Sequence, residues 1–461
     1  MTSICWFRRV LRLDDHPALV AAAADGAVVP LVILDPDEAT AQPASAQRQA
    51  MSLPLLDADL RRHGSRLIVR RGRPADVLPD VIRETAASAV HATVGFPFAS
   101  DEGLDDPVRA ASAVLHLHPL ADLVPRGSVR TGSGGVFRVY SPFFKALKQV
   151  PIRVPLERPA LRSPEEWPGS EALDWPEARA AMRRGWDVVA GHVDAGEEAA
   201  HRRLADFLDG PVADYPEHRD EPWRPATSGL SDSLAVGEIS ARRIFHRCLP
   251  ALRAGAPGVE GFVSELAWRE FARELFHESP DLGERCWRRE WESFPWDGDG
   301  EAAERWRRGR TGVEMVDAGM RELFATGRMH NRVRMIAASY LTKHLLTDWR
   351  VGLAWFERTL TDWDPASNAM NWQWVAGCGP DASPYFRIFN PDTQAAKFDP
   401  RATYRSHWLA PDSAGARRFA AAAPLSWRVD LHHRPEPEIS LAEGRGRALA
   451  AYEDLRATQA R

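Results

Sequence analysis

Cysteine is scarce: Cys5, Cys248, Cys286 and Cys378 are the only four in 461 residues. They form no CxxC pair, no zinc-type spacing and no convincing iron–sulfur set, so neither a disulfide framework nor a metal centre is expected. A reduced, cytoplasmic protein follows as the expectation. No apolar run approaches the ~18 residues of a membrane span. The opening MTSICWFRRVLRL lacks the pattern of a secretory signal. No membrane partner is therefore expected. No GxGxxG follows any candidate strand, so the dinucleotide fingerprint is missing too. There is no internal repeat and no low-complexity tract. Neither sign of charge is in large excess, 59 Lys and Arg against 64 Asp and Glu, net -5. Alone this argues against a nucleic-acid partner, although a local basic groove can sit on an acidic protein. Tyrosine is rare, 6 against 17 tryptophans. A Trp-rich helical core would account for that, and so would indoles used for stacking or redox chemistry; composition does not choose.

What is present is ordinary globular composition, 44% hydrophobic and 27% charged, at a length suited to two or three domains. Residues 3–7, 28–34, 66–69 and 89–94 read as strands. Helices are expected from Asp14-Asp15-His16-Pro17 through Ala24, over 47–62 and over 74–85. Strand and helix alternate, which implies a parallel α/β sheet. From about 125 to 195 prolines recur and no period is sustained, which reads as a connector. Beyond it the chain turns helical. In 332–345 the residues Val333, Ile336, Ala337, Tyr340, Leu341 and Leu345 fall on one face. The expected fold is α/β plus all-α: an N-terminal Rossmann-like parallel domain (1–125), a connector (126–195) and a C-terminal helical domain (196–461).

Four stretches carry candidate chemistry. In SELAWREFARELF, Glu265 and Trp268 lie one turn apart on one helix face. A carboxylate beside an indole suits a nucleobase, one reading its edge and the other its π-face. An amphipathic helix with a core Trp and a surface Glu is the commoner source of such spacing. Asn331, Arg334 and Met335 share the face opposite the apolar stripe. Met on such a face hints that a ligand or another helix covers it. Residues 362–391 (DWDPASNAMNWQWVAGCGPDASPYFRIFNP) concentrate Asp, Asn and Trp among small residues. Small residues admit a flat ligand closely, and Asp and Asn offer hydrogen-bonding edges; a core helix followed by a loop is the plain alternative. Tyr215, Arg219 and Asp220 precede Thr227-Ser228-Gly229-Leu230-Ser231, where hydroxyls cap a helix and the same N-terminus could bind phosphate.

The order of these motifs is more telling than any one of them. WFRRVLRLDDHPAL, Tyr-x-x-x-Arg-Asp before TSGLS, ELAWREF, RTGVEMVDAGMREL, GRMHNRVRMIAASYLTKHLL, DWR, WQW and PYFRIFNP together resemble the photolyase/cryptochrome family. The resemblance runs from Cys5 to about Tyr452. It implies FAD in the helical domain. Tyr215, Thr227, Ser228, Leu230 and Ser231 would hold its phosphates and ribityl chain. Arg334 would pair with Asp362 beside the flavin, with Asp364 close and Asn368 at the reactive edge. The implied activity is repair of cyclobutane pyrimidine dimers in DNA, a carbon–carbon lyase reaction driven by blue light and electron transfer. Glu265, Trp268, Asn331, Met335 and Trp374 match positions that contact the dimer. Arg219 and Arg332 match positions near the lesion or its phosphates. Trp372, Trp349 and Trp296 match a chain that photoreduces the flavin. MHNR, rather than adjacent histidines, resembles members acting on cyclobutane dimers more than on (6-4) products.

Departures from the family pattern bear on the antenna. Val10 stands where many relatives carry Asp. The usual Asn-Arg-Arg-Tyr-like segment is missing around GFPFASDEGLDD (95–106), and Gly283-Glu284 replace folate contacts. The second chromophore is open between folate, deazaflavin and none. A cryptochrome-like photoreceptor signalling through partners is the competing expectation. Asn368 and the absence of a long tail after Arg447-Ala-Leu-Ala-Ala-Tyr-Glu favour the enzyme, for which no obligate protein partner is implied.

Overall fold

The computed structural model describes residues 1–96, 101–120, 122–382 and 387–459. Part of GFPFASDEGLDD (97–100) and the Pro384–Phe386 start of PYFRIFNP lie outside them.

The N-terminal quarter is built on a parallel five-stranded sheet in the order β3-β2-β1-β4-β5. The strands are β1 (Thr2–Trp6), β2 (Ala27–Leu34), β3 (Ile68–Arg71), β4 (Ala89–Thr93) and β5 (Val114–His118). Helices α1 (Pro17–Asp25), α2 (Pro36–Ala41), α3 (Pro43–Arg62), α4 (Pro74–Thr85) and α5 (Asp105–Ala110) connect them. The near-continuous apolar run of β2, AVVPLVIL, is what a strand covered on both faces needs. Four strands stand where the sequence pattern expects them. β5 does not appear among those expectations. It is one of the two edge strands, with Val114 and His116 exposed, and its VLHLH carries too little apolar signal to stand out. The order reverses between β1 and β4. In open α/β sheets a ligand crevice forms at the carboxyl ends beside such a switch point.

The chain from 126 to 195 contains short helices, among them Tyr140–Leu147, Pro176–Met182 and Gly185–Ala190. The rest is helical, apart from loops. Among the described residues no helix is long and apolar enough to cross a membrane.

The sheet domain and the helical domain are clasped by buried charge. Arg48 of α3, fully buried, reaches Asp232 at 3.1 Å and Ser52 at 2.7 Å, and also pairs with Glu238. Buried charges persist only when paired and hydrogen-bonded in this way. The backbones also touch. Leu11 N donates to Val236 O at 3.2 Å, and Arg12 Nη1 to Gly237 O at 2.7 Å. A side chain at Gly237 (φ +78°) would place its Cβ 2.2 Å from Arg9 O and 2.6 Å from Val10 Cα. Glycine is required at this crossing.

One expected helix is interrupted. The regular helix Asn331–Ser339 widens into a π turn at Tyr340–His344 rather than running on to Leu345. The apolar stripe still packs inward. The wider turn accommodates Lys343, which is fully buried with its Nζ 2.5 Å from Ala376 O.

Candidate functional site

A cavity of about 1010 Å³ opens in the helical domain. That is the upper end of the about 300–1,000 Å³ of ordinary ligand pockets. Four separate stretches bring the residues singled out from sequence to its wall. Tyr215, Arg219, Thr227, Ser228, Leu230 and Ser231 come from the first, and Glu265 and Trp268 from the Val259–Glu278 helix. Asn331, Arg332, Arg334 and Met335 come from the third, and Asp362, Asp364, Asn368, Trp372 and Trp374 from the fourth. Of the residues singled out by sequence, Trp296 and Trp349 alone stand off this wall.

At the Arg334 side, the guanidinium donates to Asp362 Oδ2 at 2.8 Å and, through Nε, to Met329 O at 2.7 Å. The other carboxylate oxygen, Asp362 Oδ1, is buried without a protein partner. A buried acceptor of that kind calls for a donor from outside the chain, a ligand or a water. Together with the hydroxyls of Thr227, Ser228 and Ser231 across the cavity, this donor and acceptor set fits a flavin dinucleotide, whose polar ring edge and phosphates need both. Met335 does face a ligand-sized space.

Asp364 lines the same cavity as Asp362 and Arg334. Its ion-pair partner is Arg273, which donates to it at 2.9 Å. It also caps the Pro365–Ala376 helix by accepting from Ser367 N at 2.8 Å. Burial works to raise the Asp364 carboxyl, but Arg273, Arg269 and its hydrogen bonds overcome this and hold it at about 2. The cap fixes Asn368 one turn on, and Asn368 Nδ2 donates to Asp364 O at 3.0 Å.

At the mouth, Arg219 is paired with a neighbour. It donates to Glu265 at 2.6 Å and lies 4.9 Å over the Tyr215 ring. Arg332 is likewise tied to Asp220 and lies 4.6 Å over Phe398. Trp268 stacks one face on Tyr140 of the connector, centroids 3.7 Å apart and planes 8° off parallel. It reaches the cavity as the end of an aromatic stack that joins it to the 126–195 segment. Trp374 donates its N–H to Asp381 O at 3.1 Å.

Of the three tryptophans, Trp372 lines this cavity and the other two lie beyond it. Trp372 is buried in its wall. A Cβ on Gly352, one turn along the Trp349–Thr359 helix from Trp349, would sit 2.1 Å from the Trp372 ring. Only a glycine lets the two helices approach so closely. Trp349 is fully buried. Trp296 is half-buried and reaches the start of the same helix because Asp297 N donates to Leu346 O at 2.7 Å and Asp348 N to Asp297 O at 2.8 Å.

Sequence reasoning missed two groups on the wall. Glu322, in the RTGVEMVDAGMREL motif, is raised to about 7 by burial and hydrogen-bonds the Tyr404 hydroxyl. His330 is lowered to about 4 by burial and accepts from Arg332 N at 3.2 Å. Both lie inside the quoted motifs, but nothing in the residue pattern marks them as turned inward.

A second cavity of about 560 Å³ lies at the carboxyl ends of β1, β2 and β4, closed by the helical domain. Arg8, Arg9, Arg12, Arg73, Asp35 and Glu38 line it.

Comparison with known proteins agrees across the chain. The family described as DNA photolyase matches residues 3–162, and the FAD binding domain of DNA photolyase matches 262–454. A deoxyribodipyrimidine photo-lyase of Agrobacterium fabrum is 38% identical, covering 99% of this chain and 98% of that protein. Among solved structures, a bacterial class III photolyase from Agrobacterium tumefaciens has a TM-score of 0.88 at 38% identity, covering 99% and 98% of the two chains. A Synechocystis cryptochrome has a TM-score of 0.84 at 28% identity, covering 98% and 99%.

Proposed function

The chain belongs to the DNA photolyase family, and from that premise we propose that it splits cyclobutane pyrimidine dimers in DNA by light-driven electron transfer involving FAD. The observation that carries the reading is one cavity in which the flavin set and the lesion set share the wall from Asp362 to Trp374. FAD, when bound, supplies light absorption and the electron that opens the cyclobutane ring. The chain's own residues do the rest. Tyr215, Thr227, Ser228, Leu230 and Ser231 hold the phosphates and ribityl chain. Arg334 and Asp362 grip the polar edge of the ring system. Asn368, fixed by the Asp364 cap, faces its reactive edge.

Enzymes that act on a base take it out of the stack, photolyases among them. The flipped dimer meets Trp268 and Trp374 by stacking, and Asn331 and Met335 at the rim. Glu265 hydrogen-bonds it and stabilises the charge that develops during splitting. Arg219 holds Glu265 in place, and Arg332 with Asp220 stands where the strand backbone enters. Trp296, Trp349 and Trp372 pass electrons inward to return the flavin to its active state. The partner is DNA carrying the dimer, and the place of action is the cytoplasm, on the nucleoid when bound. The second cavity, at the sheet's switch point, is our candidate for an antenna pigment, a folate or a deazaflavin.

The test is to illuminate the reduced protein with a dimer-containing single-stranded oligonucleotide and analyse the product. Restored pyrimidines support repair. Binding without repair, at equal affinity for damaged and undamaged DNA, rejects it in favour of a photoreceptor.

A further inference from the structure

We infer that the buried thiols of Cys286 and Cys378 are a resident two-electron donor to the tryptophan chain. The inference rests on the proposed route through Trp372, Trp349 and Trp296, and assigns that route a source of electrons inside the protein.

Both cysteines are fully buried and free. Their thiols face one another. Gln373, the residue after Trp372, stitches the two stretches together. Its Oε1 accepts from Trp287 N at 2.7 Å and lies 3.7 Å from Cys378 Sγ. Its Nε2 donates to Arg285 O at 3.0 Å, and Arg288 N donates to Cys378 O at 3.0 Å. Trp349, whose buried N–H has no hydrogen-bond partner in the chain, stands beside Cys286. Arg350 places Nη2 3.9 Å from Cys286 Sγ while its guanidinium sits 4.7 Å over the Trp349 ring. Lys343 stands beside Cys378 on the other side.

The surroundings bias one thiol toward ionisation. The hydrogen bond from Cys378 holds Cys286 below the ordinary thiol value, against its burial, with Arg350 adding to the effect. Burial pushes Cys378 well above it. The thiolate is the form that gives up an electron readily, and burial denies it to oxidants in solvent. The oxidant within reach is Trp349 when light has drawn an electron out of the chain.

The chemistry balances. Cys286 refills Trp349, and the sulfur radical left behind joins the Cys378 sulfur. A second light-driven withdrawal completes one Sγ–Sγ bond. Two thiols lose two electrons and two protons. The two electrons and one proton end on oxidised flavin, and the other proton goes to solvent.

The experiment uses the FAD-loaded protein, oxidised, anaerobic and without added donor. Under blue light, flavin absorbance and the four thiols are followed together, the thiols by alkylation after denaturation and mass spectrometry. Reduced flavin accumulating with loss of Cys286 and Cys378 as one disulfide, while Cys5 and Cys248 stay free, is the expected result. Cys286→Ser and Cys378→Ser should both stop accumulation, and an external thiol donor should restore it, which shows that the fold and the chain are intact. Reduced flavin with all four thiols retained overturns the proposal. So does a Cys286→Ser variant that matches wild type without donor. Trp349→Phe separates the two readings. If it photoreduces like wild type with external donor, the chain itself is refuted and the thiol role with it. If it fails while wild-type thiols stay untouched, the chain stands and the thiol role alone falls.

Discussion

The two cavities of this protein are built from different kinds of chain. The larger is walled by the stretch from Tyr215 to Val375, and its principal charges are matched pairwise, Arg334 with Asp362 and Arg219 with Glu265. The smaller is assembled from strand ends near the N-terminus together with residues 234–241 and 363–365. Four residues, Leu234, Ala235, Arg269 and Asp364, line both. The difference teaches where motif reading works. A site built on helices of one domain leaves its residues at helical spacing, in motifs. A site built across two domains leaves single residues scattered over the chain, none of which announces the others.

The sharpest test of that contrast is Arg334→Ala. It leaves Asp362 buried and uncompensated, a loss of roughly 3 kcal/mol or a hundredfold in FAD binding. Flavin absorbance of the purified variant should fall accordingly. A pigment bound in the second cavity should persist, and loss of both together would break the separation of the two cavities.

Next in size is Glu265→Ala, which should lower repair yield roughly tenfold at unchanged FAD content. Single-turnover repair of chemically reduced protein measures it. Unaltered yield would return Glu265 to the role of holding Arg219.

A smaller effect concerns pH. Burial raises Glu322 to about 7 from its ordinary 4.5. The folded state therefore favours the neutral acid. That contribution is fully present below about pH 4.5 and is lost as pH rises through about 7. The melting temperature should decline from pH 5 to pH 8, and Glu322→Gln should flatten the decline. An unchanged slope in the variant would show that Glu322 does not set it.

The smallest effect is expected at the second cavity. Arg9 pairs with Glu38 at 2.7 Å, and both side chains are partly exposed. Such a pair is worth about 0–1 kcal/mol. Arg9→Ala should leave stability and FAD content within error, in chemical denaturation and absorbance. A larger loss would mean that the second cavity, like the first, depends on its charge pairs.

Much of the fold was legible because burial on both faces writes long apolar strands such as β2, and one-sided burial writes a helical stripe such as Val333 to Leu345. β5 was not legible, since an edge strand needs little apolar surface. The π turn was not legible either, because the spacing of apolar residues is the same on both sides of it. In the site, Arg334, Asp362 and Asn368 could be named from their motifs. That Asp364 answers to Arg273, that Arg219 is held by Glu265 and that Trp268 leans on Tyr140 could not, because each partner lies in another stretch of chain.

Local chain chemistry thus determined the alternation of strand and helix, the helical stripe, and the motifs that hold the flavin and lesion candidates. Only the tertiary structure decided which charges meet, that Gly352 brings the Trp349 helix against Trp372, and that Cys286 and Cys378 lie together beside Trp349. The physical reason is that spacing along a helix is a property of the backbone. Pairing across helices depends on how closely the packed elements approach, which Gly237 and Gly352 permit here and which no local pattern encodes.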